Sequence, residues 1–218
     1  MNQVEETGGA ETAAAAAETA GPPGERAATV ERKTAETSIR VHLELDGTGR
    51  ARVDTGLGFL DHMLTALAKH GRLDLELLCE GDLEIDDHHT AEDCALALGQ
   101  ALDRALGERR GIRRFGTGHA PLDEALARVV VDLSGRPWHE VRLGFRRETL
   151  GEIATENLTH FFQSLAIAAR MALHVDLLRG ENDHHRAEAA FKALALALRE
   201  AVARDGPAGE VPSTKGVL

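Results

Sequence analysis

Cysteine is scarce in this chain. Its 218 residues include only Cys79 and Cys94, far apart and without Cys-x-x-Cys spacing. That excludes a disulfide scaffold or a thiolate zinc site and fits two reduced, buried thiols in a cytoplasmic protein. Long apolar runs are missing as well. No stretch reaches the roughly 18 apolar residues that a membrane helix needs, so no contact with a membrane is expected. The N-terminal segment has neither the basic n-region nor the apolar h-region of a secretory signal. Positive charge is also in deficit: 25 Lys and Arg against 36 Asp and Glu leave a formal net charge of -11, which argues against a nucleic-acid surface. Hydrophobic residues make up 43% of the chain, enough for a real core. The length suits one domain or two small halves sharing that core.

Residues 1–28 are Ala, Glu, Gly and Pro with almost no large apolar side chain, so they are expected to be a disordered tail. Beyond them the pattern becomes periodic. "TSIRVHLEL" and "GRARVDTG" (49–56) alternate around "DGTG", which predicts a β-hairpin. Helical spacing predicts a helix over 58–71, closed by Gly71. A strand follows at 73–80, a short extra strand fits "DLEI" (82–85), and a second helix covers 89–107. The order then recurs: strands at 124–135 and 137–145, a helix at 155–171, a strand at 173–178 and a helix at 185–202. The reading is an α/β (α+β) fold of two internally duplicated β-β-α-β-α halves, at 29–118 and 119–205, with a C-terminal tail at 206–218.

The strongest signal is a repeated motif, "DDHHTAED" and "NDHHRAEA". Aligned without gaps, residues 88–105 and 184–201 agree at nine of eighteen positions, both histidines and the glutamate included. A further histidine precedes each copy on the helix before it: His62 ahead of His88, and His160 ahead of His184. On a helix, residues four apart share a face and adjacent ones diverge by about 100°. His88 with Glu92, and His184 with Glu188, can therefore each grip one ion, while His89 and His185 must point elsewhere. Six imidazoles and two carboxylates make two sites of four ligands. Pseudo-symmetry suggests a crossed allocation, with His88, Glu92, His160 and His185 on one ion and His184, Glu188, His62 and His89 on the other. Such donors suit Mn, Fe, Co or Zn and leave open positions for catalysis. Asp86, Asp87 and Asp183 are placed to orient imidazoles from behind, although Asp61 and Asp87 also read as helix caps. A ferritin-like dimetal bundle is the alternative on these residues, but its Glu-x-x-His order is reversed and it has no strands.

Taken together, "DGTGRARVDTGLGFLDHML", "DDHHTAED", "RFG", "SGRPW", "TENLTHFFQSLA", "GENDHHRAEAAFKALALALREA" and "PSTKG" resemble the imidazoleglycerol-phosphate dehydratase family over roughly residues 31–218. The resemblance implies four helices packed between two four-stranded sheets (ribosomal protein S5 domain 2-like), a 24-subunit homo-oligomer, and two Mn²⁺ per active site, with the sites between subunits. It implies a cytoplasmic hydro-lyase (a lyase of histidine biosynthesis) acting on a phosphorylated imidazole substrate. The reaction converts D-erythro-1-(imidazol-4-yl)glycerol 3-phosphate to 3-(imidazol-4-yl)-2-oxopropyl phosphate through a dimetal-bound imidazolate and a diazafulvene. By motif position, Glu36 and His62 lie at the substrate. Arg114, Arg136, Lys192, Ser213 and Lys215 are matched to its phosphate, and the base is Glu36, Glu92 or Glu188. Read without the resemblance, Glu36 is a solvated strand-start residue and Lys192 an ordinary ion-pair partner of Glu188. The family's two-domain form with a preceding phosphatase-like domain is not expected here. A competing class is a non-enzymatic metal-assembled shell or storage protein, which would have no use for the phosphate residues.

Overall fold

The computed structural model describes residues 17–20 and 25–218, with side chains from residue 25 onward. Of the tail expected over 1–28, residues 1–16 and 21–24 lie outside the described residues. The first half runs β1 (Ala17–Ala20), β2 (Ala27–Lys33), β3 (Thr37–Glu44), β4 (Ala51–Asp54), α1 (Gly58–Gly71), β5 (Asp74–Gly81) and α2 (His88–Leu106). The second runs β6 (Phe115–Leu122), β7 (Ala125–Asp132), β8 (Trp138–Arg142), the short β9 (Thr149–Leu150) and β10 (Ile153–Ala154), α3 (Thr155–Ala168), β11 (Ala172–Arg179) and α4 (Asp183–Ala201). No helix among the described residues is long and apolar enough to cross a membrane.

The two halves build sheets of matching topology, β2-β3-β5-β4 and β6-β7-β11-β8, and β1 adds a strand at the free edge of β2. In each sheet the first three strands pair antiparallel and the last pairs parallel. Helices α2 and α4 each cover the inner face of their own sheet, and the halves interlock crosswise, α1 against α4 and α2 against α3. Four helices therefore lie between two four-stranded sheets, which rules out the all-helical bundle. The side chains follow from this arrangement. Strand β7, "ALARVVVD", alternates buried and outward positions along its length, as a sheet with one covered face requires. In the middle layer Phe161, Phe162 and Phe191 are fully buried, with Phe162 and Phe191 ring centroids 4.7 Å apart. Each such ring contributes about 1.5–3 kcal/mol of burial.

Three readings of the sequence need correction. Each half places three strands of its main four-stranded sheet before its first helix (β2, β3 and β4; β6, β7 and β8), not two. The expected hairpin between "TSIRVHLEL" and "GRARVDTG" does not form, because β5 inserts between β3 and β4. Strand β4 instead pairs parallel with β5, and a parallel pair needs a crossover, which α1 supplies. The adjacent hairpins are β2–β3 and β6–β7. The segment "DLEI" is a turn rather than a strand, closed by Ile85 N donating to Asp82 O at 2.8 Å.

The "DGTG" loop owes its shape to Asp74. Its Oδ1 accepts from the backbone N–H groups of Thr48, Gly49 and Arg50 at 2.7, 3.0 and 2.9 Å, and Arg50 Nε donates to Oδ2 at 2.7 Å. Burial opposes ionisation of Asp74, but those donors outweigh it and hold the carboxyl well below the usual carboxylate range. The adjacent Asp46 is held at about 2 by its hydrogen bond to Arg26, with Arg204 adding to it against the opposing effect of burial. Both folded-state values are depressed. Their stabilisation is therefore present above the unfolded value of about 3.9 and is lost as pH falls through the folded value. The urea midpoint is expected to hold from pH 7 to about 4.5 and to fall steeply between pH 4 and 2, and Asp46→Asn should flatten part of that fall.

Candidate metal centre

The crosswise helix packing brings the motif histidines together. His62 on α1 meets His184 and Glu188 on α4: the Nε2 atoms of His62 and His184 each lie 3.2 Å from Glu188 Oε2. His160 on α3 meets His88 and Glu92 on α2, with His160 Nε2 3.0 Å from Glu92 Oε1 and His88 Nε2 3.9 Å from Glu92 Oε2. The His88 and His160 rings stack at 5.1 Å. In each trio the ligand atoms all lie within 4.8 Å of one another. Every trio draws on both halves of the chain, so neither half holds a complete set. The donor set of two imidazoles and one carboxylate, with no thiolate, fits a borderline or harder divalent ion.

The acids beside each histidine pair have distinct jobs. Asp86 Oδ1 accepts from His88 N at 2.8 Å, and Asn182 Oδ1 accepts from His184 N at 2.9 Å. The same position in the two copies thus caps the helix start. The next acid ties the helix start to the segment leading into α3. Asp87 Oδ2 accepts from Ala154 N and from Asn157 Nδ2 at 2.7 and 2.9 Å. Asp183 Oδ2 accepts from Arg146 N and Arg147 N, each at 2.7 Å. Asp87 therefore does not cap α2. It orients Asn157, whose Oδ1 then accepts from His88 Nδ1 at 2.9 Å, so the second-tier role expected of it is indirect. Asp183 touches no imidazole and instead pairs with Arg186 at 3.3 Å.

His89 and His185 point away from both trios, as adjacent helical residues must. His89 Nδ1 donates to Asp82 at 3.1 Å, and its Nε2 stands 3.6 Å from Glu36 Oε1. His185 Nδ1 donates to Glu124 Oε2 at 2.7 Å, with Asp123 Oδ2 3.9 Å from Nε2. The carboxylates of Asp82 and Glu124 raise the proton affinity of these two rings. Within one chain, then, three of each expected four ligands converge, and the fourth lies apart on carboxylate partners of its own. Sequence reasoning passed over Glu124 and Asp82, which lie outside the motif in chain order. Asn157 lies inside "TENLTHFFQSLA", a stretch that carries part of the resemblance, but no spacing singles it out.

The residues matched to phosphate divide between two places. Lys192 Nζ lies 2.7 Å from Glu188 Oε1. Burial of Glu188 favours its neutral form, but Lys192 and His62 overturn that and hold the carboxyl at about 2. Arg114 and Arg136 converge on Asp132: Arg114 Nε and Nη2 donate to its two oxygens at 2.6 and 3.0 Å, and Arg136 Nη2 lies 4.0 Å away. Arg114 Nη1 also donates to Pro212 O at 2.8 Å, which brings the C-terminal segment to the arginines. Ser213 Oγ accepts from Lys215 N at 3.2 Å, and the Lys215 side chain is exposed.

These features define an internally duplicated α/β protein with two matched carboxylate–imidazole centres. A family model described as imidazoleglycerol-phosphate dehydratase matches residues 55–198. The imidazoleglycerol-phosphate dehydratase of Phaffia rhodozyma is 61% identical over 198 residues, covering 88% of this chain and 96% of that protein. That of Phytophthora nicotianae is 62% identical over 207 residues and covers 95% of this chain, but this chain spans only 46% of its length. Among solved structures, the Pyrococcus furiosus enzyme in complex with (S)-C348 superposes with a TM-score of 0.75 at 38% identity, covering 86% of this chain and 99% of that one. The Staphylococcus aureus enzyme gives 0.71 at 39% identity, covering 77% and 95%. The chain belongs to the imidazoleglycerol-phosphate dehydratase family and is an enzyme of that kind.

Proposed function

We propose that this enzyme removes water from D-erythro-1-(imidazol-4-yl)glycerol 3-phosphate to give 3-(imidazol-4-yl)-2-oxopropyl phosphate in cytoplasmic histidine biosynthesis, using two Mn²⁺ per active site. The observation that carries the reading is the pair of trios, each assembled from both halves; His89 and His185, held apart from them, supply the fourth ligands on this reading. In a 24-subunit homo-oligomer those two histidines complete the trios of neighbouring copies, so the active sites lie between subunits. The buried free thiols of Cys79 and Cys94 suit a reducing compartment.

The chemical problem is a proton on a carbon that has no adjacent carbonyl. Electrons from the imidazole ring expel the neighbouring hydroxyl to form a diazafulvene, and the side-chain proton is then acidic enough for a carboxylate to take. Bound divalent ions supply Lewis acidity, which favours the anionic ring and eases departure of hydroxide. The chain's own groups do the positioning and the proton transfer. Both oxygens of Glu188 are already engaged, by Lys192 and by two imidazoles, and Glu92 is held between His88 and His160. Glu36 is half exposed and, among the described residues, its carboxylate faces only His89, so it is the carboxylate freest to accept the proton. Arg136, with its side chain 66% exposed, offers a planar fork to the phosphate. Arg114, clamped by Asp132, holds the segment carrying Ser213 and Lys215 over it.

A turnover assay tests this reading. EDTA-stripped protein given Mn²⁺ and the substrate should release 3-(imidazol-4-yl)-2-oxopropyl phosphate. No turnover by a metal-loaded, assembled sample would instead favour a storage shell. A second expectation concerns assembly: His89→Ala should lower both activity and particle size by light scattering. Unchanged particle size with metal loss confirmed would contradict metal bridging between subunits.

A further inference from the structure

Glu124 occupies the turn between β6 and β7, sixty-one residues from the histidine it touches. Its two oxygens are committed to different partners. Oε1 accepts from the backbone N–H groups of Glu181 and Asn182 at 3.0 and 2.8 Å, fixing the loop that enters α4. Oε2 faces His185 Nδ1 at 2.7 Å. A carboxylate can only accept, so Nδ1 must carry the ring proton. The lone pair of the neutral ring is thereby left on Nε2, which lies 3.9 Å from Asp123 Oδ2.

We infer that Glu124 is a positioning residue that sets the tautomer and ring direction of His185, so that His185 presents Nε2 as a metal ligand. The inference rests on the metal-dependent reading above. It assigns a role to a residue outside the repeated motif, and the role has an unusual signature. In Glu124→Gln the side-chain oxygen remains the acceptor for the two backbone N–H groups, because turning the amide would set an NH₂ against both of them. The NH₂ must then face His185 Nδ1. Facing a donor, Nδ1 becomes the acceptor and the ring proton moves to Nε2, where it blocks the ligand position. Glu124→Ala removes every contact but leaves the ring free to take either tautomer. Tautomer control therefore predicts that the glutamine variant binds metal worse than the alanine variant. A merely structural role predicts the reverse, because glutamine keeps the loop contacts that alanine loses.

The experiment is equilibrium dialysis of Mn²⁺ against assembled wild-type protein, Glu124→Gln, Glu124→Ala and His185→Ala, with metal counted per chain and thermal midpoints recorded on the stripped proteins. Wild type should hold the metal. Glu124→Gln should lose roughly 10–100-fold in affinity, the range for such supporting residues, and approach His185→Ala, while Glu124→Ala falls between it and wild type. The stripped midpoint of Glu124→Gln should stay near wild type and that of Glu124→Ala should drop. Glutamine binding as tightly as wild type, or more tightly than alanine, would overturn the role of Glu124 while leaving the metal reading intact. Wild type that takes up no metal would overturn the metal reading and the inference with it.

Discussion

His160→Ala should abolish turnover while leaving the fold in place. His160 is the contribution of α3 to a trio whose other members, His88 and Glu92, both sit on α2. Without it, one helix offers two donors four residues apart, and on the proposed scheme only the His185 of a neighbouring copy is left to join them. Lewis acidity of the kind proposed is worth several kcal/mol of transition-state stabilisation. At 1.36 kcal/mol per tenfold change in rate, its loss corresponds to at least about a thousandfold in kcat/KM. The His160 side chain is about one-third exposed, so its removal opens no buried cavity and the thermal midpoint of the stripped protein should change little. Steady-state kinetics and metal analysis on one preparation check both halves of this expectation. Full activity with metal content halved would show that the second trio alone suffices.

Gly118→Ala should have the opposite profile, damaging the fold first and activity as a consequence. Strand β6 carries Gly116 and Gly118 at alternate positions, both facing α4. A Cβ on Gly118 would lie 1.9 Å from Ala193 O, and one on Gly116 would lie 2.0 Å from Ala197 O. Both obstacles are backbone carbonyls, so no rotamer change relieves them and the helix itself must move. Overpacking a core typically costs about 1–3 kcal/mol, and a backbone clash belongs at or above the upper end. For a chain of this size about 3 kcal/mol lowers the midpoint by roughly 6–12 °C. Because α4 carries His184, His185 and Glu188, its displacement also shifts one trio. Thermal unfolding of the stripped variant checks the stability effect apart from metal. A midpoint equal to wild type would mean that α4 lies farther from β6 than the structure places it.

The same glycines show where the sequence stopped being readable. Strand β6, "FGTGHAPL", has glycine where a strand normally shows an apolar side chain, because the backbone of α4 fills that space. An apolar-alternation reading finds nothing there, and only the glycine-x-glycine spacing marks a close approach. The helices were legible to within a few residues because their apolar stripes are long, and β3, β5, β7 and β11 because they alternate or are strongly apolar. Strand pairing was not legible. Neighbours in the chain such as β3 and β4 look like a hairpin until the crossover through α1 is known. At the site, helix geometry alone separated His88 from His89 and His184 from His185, and the repeat pointed to His62 and His160. Glu124, Asp82 and Asn157 reach their histidines through tertiary packing, so no local spacing pointed to their contacts. Proximity in sequence assigns Asp86, Asp87 and Asp183 to imidazoles, whereas Asp86 bonds the His88 backbone, Asp87 reaches the His88 ring only through Asn157, and Asp183 holds the backbone at Arg146 and Arg147.

Stepwise addition of Mn²⁺ to the stripped, wild-type enzyme, with turnover followed at each addition, bears on the whole scheme. Two matched centres per chain, both required for one active site, predict that activity rises to a plateau at two equivalents of metal per chain. A plateau at one equivalent, or two tightly bound ions with no turnover of the imidazole phosphate, would contradict it.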